Sequence, residues 1–147
     1  MSDDFFDKID KQLGAEKTTA ETARTHADTA KAFSKQVIKR VRPVADDYAA
    51  KLKARGIDAE SAGHDDYIAF KLLYADGDGV EMSFGVNHKN GRLALSKHYR
   101  DDKGPYKTMD ESFGEEKWKD TYYEVKLKEF IEEFMAVAPK HGGALKR

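Results

Sequence analysis

Apolar and polar residues alternate through most of the stretch from Tyr67 to Arg100, and two short runs rich in glycine, aspartate and asparagine interrupt them. Alternation with period two sends successive side chains to opposite faces, so the stretch predicts three antiparallel strands joined by two turns. Lys89-Asn90-Gly91-Arg92 is the stronger turn signal. Both central residues of a two-residue type I′ loop need positive φ, which Asn and Gly tolerate best. Opposing Lys89 and Arg92 pairs His88 with Leu93, Val86 with Leu95, Phe84 with Lys97 and Met82 with Tyr99 on one face. On the other face Ser83 then meets His98, and Glu81 meets Arg100. The preceding strand, Tyr67 to Ala75, is joined through Asp76-Gly77-Asp78-Gly79-Val80. Used as a five-residue loop, this run aligns Tyr74 with Met82, Leu72 with Phe84 and Phe70 with Val86. Three strands then share one apolar face, while Lys71, Leu73, Glu81, Ser83, Ser96, His98 and Arg100 gather on the polar one.

On either side of these strands the apolar period changes to that of a helix. Ser2 with Asp3 and Asp4 reads as an N-cap, and Phe5, Phe6, Ile9 and Leu13 form a stripe that Gly14 closes, predicting a short amphipathic helix over residues 1–14. Thr18 and Glu21 have capping-box spacing, which starts a second and longer helix. Ala20, Ala23, Ala27, Ala30, Val37, Val41, Val44 and Tyr48 occupy the two core positions of its heptad, with Ser34 interrupting. The alanine half permits close backbone approach, and the valine and tyrosine half can cover a sheet. Pro43 predicts a kink, because the stripe keeps its phase across it, and Gly56 ends the helix. From Thr18 to Ala54 such a helix spans about 55 Å, more than the roughly 38 Å of a compact chain this size. Either it bends around the sheet, or its alanine half packs on the first helix or on another chain.

Ile57 to Gly63 is open between an edge strand and a loop, and Tyr106 to Phe113 is a candidate fourth strand. From Asp120 a helical face of Tyr123, Leu127, Phe130, Ile131, Phe134 and Ala138 runs to Pro139, after which residues 140–147 read as a loose basic tail. The expected fold is α+β in one domain: a long N-terminal helix, an antiparallel meander of three to four strands and a C-terminal helix, with the helices on one face of the sheet.

Composition narrows the functional classes. The chain has 147 residues and no cysteine, which removes thiol catalysis and cysteine-bound metals. Lysine and arginine number 26 against 27 aspartates and glutamates, so no global field steers it to nucleic acid. The acidic start and the lack of any long apolar run lead us to expect a soluble, cytoplasmic protein away from membranes. No glycine-rich phosphate loop is present.

Three local patterns could carry chemistry. The polar sheet face of Lys71, Glu81, Ser83, Ser96, His98 and Arg100 could hold an anion or a small ligand, although antiparallel sheets commonly leave one face wet. Asp76-Gly77-Asp78-Gly79 matches the opening of a calcium loop, but Asn87 stands where the twelfth-position acid belongs, and a hairpin loop explains both glycines. Lys31, Lys35, Lys39, Arg42 and Lys53 form a basic helix stripe, interrupted by Asp28 and Asp46 and without aromatics to stack on bases. We assign no metal and no cofactor. Ala20, Ala23, Ala27 and Ala30 are the candidate partner-binding residues, and the expected function is a non-enzymatic interaction module for a protein partner, a second copy of the chain included.

Overall fold

The structure, a computed structural model, describes residues 2–101 and 104–146, with side chains at 4–98 and 110–146. One helix, α1, occupies Ser2–Ala54 without interruption. The helix expected over residues 1–14 and the one expected from Thr18 are therefore a single element. Gly14 costs a helix interior only about 1 kcal/mol, and a Cβ placed on it would meet nothing within 4 Å, so no contact compels a stop there. Thr18 does not cap. Its hydroxyl donates back to the Gly14 carbonyl at 3.1 Å, and Thr19, Thr25 and Thr29 donate to the carbonyls four residues before them. At 53 residues the helix is about 80 Å long, and it continues through Pro43.

Five strands follow: β1 Asp58–His64, β2 Tyr67–Leu73, β3 Gly79–Val86, β4 Leu93–Asp101 and β5 Gly104–Phe113. They form an antiparallel meander in sequence order. The segment left open at Ile57 to Gly63 is thus a strand, paired from Asp58 with Leu73 to His64 with Tyr67. Its weak β propensity is overridden by the Asp65-Asp66 turn and by Ala59, which is buried in the core.

Both expected registers are shifted by whole pairs, so every side chain keeps its face. Val86 pairs with Leu93, Phe84 with Leu95 and Met82 with Lys97, while β2 pairs Ile68 with Phe84, Phe70 with Met82 and Leu72 with Val80. The five-residue loop exists but covers 74–78 rather than 76–80. The two-residue turn at Asn90-Gly91 is replaced by a connection over 87–92 in which the Asn87 and Asn90 side chains each accept a backbone N–H at 2.9 Å. Its placement follows from docking. Gly91, at φ +73°, lies so close to α1 that a Cβ would fall 2.3 Å from the Ala27 carbonyl oxygen, and Ser34 Oγ donates to the Gly91 carbonyl at 2.6 Å.

The helices cover one face of the sheet. Val37, Ile38, Val41, Ala45 and Ala49 of α1 join Tyr123, Leu127, Phe130 and Phe134 of α2, Thr121–Val137, over Phe70, Leu72, Met82, Phe84, Leu93 and Leu95. The buried stripe of α1 drifts from the heptad positions Val44 and Tyr48 to Ala45 and Ala49, as a 3.6-residue helix must against a 3.5-residue repeat. Trp118 stacks on Phe84 at 5.1 Å and donates from Nε1 to Asp120 at 2.8 Å. The stretch read as a loose tail folds back instead. Ala138–His141 form a 3-10 turn, Leu145 bridges to Ile57, and Ala144 is buried.

Candidate functional site

The helix stripe that the sheet buries does not end where the sheet ends. Upstream of Ala27 every described residue of α1 is exposed except the half-buried Ile9, and the large apolar side chains are open to solvent: Phe5 at 60%, Phe6 at 59% and Leu13 at 51%. Ala20 and Ala23 lie in this exposed arm, whereas Ala27 and Ala30 are half-buried beneath the Gly91 turn of the same chain. Half of the alanine seam is therefore used internally. The arm cannot fold back on itself, since Phe5, Phe6, Ile9 and Leu13 belong to the same continuous helix. Its threonines are weak helix formers, each about 0.5–0.7 kcal/mol worse than alanine, and they sit where no tertiary contact compensates.

The polar sheet face is arranged differently from its expected pairing. Lys71 pairs with Glu81 and Glu81 with His98, while Ser83 pairs with Ser96, so His98 stands diagonal to Ser83 rather than opposite it. Diagonal Cβ atoms lie roughly 7–8 Å apart, wider than a directly opposed nucleophile and base. The Ser96 hydroxyl donates instead to Asp110 at 2.7 Å. The Arg100 side chain lies outside the described residues; its backbone pairs with Pro105, not Glu81. Both helices pack on the other face. The basic helix stripe is also partly committed, because the Arg42 guanidinium donates to the carbonyls of His64 and Tyr67 and clamps the β1–β2 turn.

One cluster was only half visible in the sequence, where Asp76 and Asp78 stand out by their spacing and nothing points to His141. The β2–β3 loop brings Asp76 and Asp78 against His141, 65 residues away, with Nδ1 at 2.7 Å from Asp76 and 3.4 Å from Asp78. Tyr74 fixes the imidazole by stacking on it at 4.1 Å, and on Phe134 at 4.4 Å. The backbone N–H of Asp78 and then the His141 ring hold the Asp76 carboxyl below the usual carboxylate range. The three ligand atoms lie within 4.8 Å of one another, a spacing compatible with a divalent cation. As arranged, His141 and Asp76 satisfy each other and tie the loop to the C-terminal turn.

Among the described residues no helix is long and apolar enough to cross a membrane. The chain matches no known family model, no curated protein and no solved structure.

Proposed function

We propose that this protein is an interaction module whose projecting N-terminal helix is the binding element for a protein partner. One observation carries the reading: an apolar seam, buried by the sheet from Val37 onward, continues in phase onto about 25 residues of exposed helix, with three large side chains more than half open to solvent. Exposed helices with such a stripe bind by laying it against another helix or into a groove. The absence of cysteine suits a reducing compartment, and we take the cytoplasm as its working place.

A photo-crosslinking residue at Leu13 tests the reading in the cells that make the protein, with the same residue at Thr18, on the opposite side of the helix, as control. Covalent polypeptide adducts from Leu13 and none from Thr18 are expected. No adduct from Leu13, or equal adducts from both positions, would overturn it.

A further inference from the structure

We propose that the partner of the arm is a second copy of this chain, docked antiparallel; this rests on the interaction reading above. The seam continues backwards through Phe6, Leu13 and Ala20 at one core position and through Ile9, Glu16 and Ala23 at the other, spaced by sevens. Bulk sits at the tip and alanine at the base. In a parallel pair each layer would meet its own copy: Phe6 on Phe6 would hold the helices apart where Ala20 on Ala20 needs them close, and Glu16 would meet Glu16. In an antiparallel pair the two core positions alternate across the interface. Phe6 then faces Ala23 of the second copy, Ile9 faces Ala20, and Leu13 faces the aliphatic stem of Glu16. Large residues meet small ones in two layers, and the single charged pair is removed.

Two further observations agree with this register. The positions flanking the seam on one side are Asp10, Lys17 and Arg24. Antiparallel docking sets Asp10 beside Lys17 of the second copy, twice by symmetry, whereas parallel docking sets these residues beside the neutral Phe5, Gln12 and Thr19. The same register brings the tip of each arm level with Ala27 of the other, which is where that chain's own Gly91 turn begins to cover the helix. Exposed length and required overlap coincide at about 37 Å. A contact of that length along two cylinders about 10 Å wide covers roughly 400 Å² of each arm. That is half of a standard interface, so the dimer is weak, dissociating at micromolar concentrations or above.

The chain's lack of cysteine makes orientation measurable. Phe6→Cys and Ala23→Cys proteins, oxidised as a mixture, should give a disulfide-linked dimer containing one of each, while either protein alone gives at least tenfold less. Self-linked dimers of both single variants would overturn the antiparallel register. In sedimentation equilibrium the unaltered chain should pass from monomer to dimer between about 1 and 500 µM. Ala20→Glu with Ala23→Glu should remain monomeric, with unchanged unfolding of the sheet followed by Trp118 fluorescence. A monomer throughout would overturn the homodimer. If Leu13 still crosslinked a different polypeptide in cells, the interaction reading would survive without it; with no adduct there, both fall.

Discussion

The Tyr123 side chain is fully buried, yet its hydroxyl has no hydrogen-bond partner among the described residues. Burial pushes the phenol well above its ordinary value, so it stays neutral and simply lacks the water it would have in the unfolded chain. Tyr123→Phe keeps the ring against Phe84 at 5.2 Å and should raise the free energy of unfolding by about 1 kcal/mol in urea titrations. Asp120 behaves oppositely. The Arg40 guanidinium, bonded to it at 2.8 and 3.1 Å, lowers its carboxyl below the usual range, with a second contribution from Trp118. A carboxyl depressed in the folded state stabilises above its unfolded value and loses that contribution as pH falls through the folded one. Asp120→Asn should therefore destabilise at neutral pH, and its unfolding curve should converge on that of the unaltered chain as pH drops below about 4. Neither effect is legible in the sequence. Arg40 and Asp120 are 80 residues apart, and only the packing of α2 beside α1 joins them.

At the scale of elements, the connection between β3 and β4 shows why register escapes a sequence reading while faces do not. Alternation fixed which side chains point inward, because a shift by a whole pair leaves parity unchanged. It carried no information on how far the strands extend before turning, and the Asn90-Gly91 signal for a short loop lost to the docking of Gly91 on α1. The helix break at Gly14 failed for a related reason. A glycine ends a helix when groups beyond it satisfy the last carbonyls, and here the chain stays helical past Gly14, with the Thr18 and Thr19 hydroxyls donating back to the Gly14 and Ala15 carbonyls. Docking at Gly91 can be measured against Gly77, which also has positive φ, at +91°, but meets nothing within 4 Å of an added Cβ. Gly77→Ala should cost about 1 kcal/mol from backbone conformation alone. Gly91→Ala should cost about 2 kcal/mol or more, because the turn must also leave the helix. Equal losses would mean that the turn contributes nothing to holding α1.

For the whole molecule, the length of α1 against the size of the sheet was readable beforehand, and so was the choice it forced between wrapping and projecting. The structure resolves that choice in favour of projection. A compact chain of this size has a radius of gyration of about 15 Å, whereas a helix near 80 Å long with nearly half of its length free must exceed it. Small-angle scattering at low concentration should show the excess. The candidate site was legible only in part. Ala20 and Ala23 were named in advance and lie exposed in the arm, but Phe5, Phe6 and Leu13 read as the face of a separate helix, because a predicted break at Gly14 hid their phase with the alanines. The central claim, that a second chain covers this arm, is tested most directly by hydrogen–deuterium exchange over residues 5–24 at low and high micromolar concentration. A threonine-rich helix without contacts opens readily. The account predicts rapid exchange in the arm when dilute and at least tenfold slower exchange when concentrated, with the sheet unchanged; equally rapid arm exchange at both concentrations would contradict it.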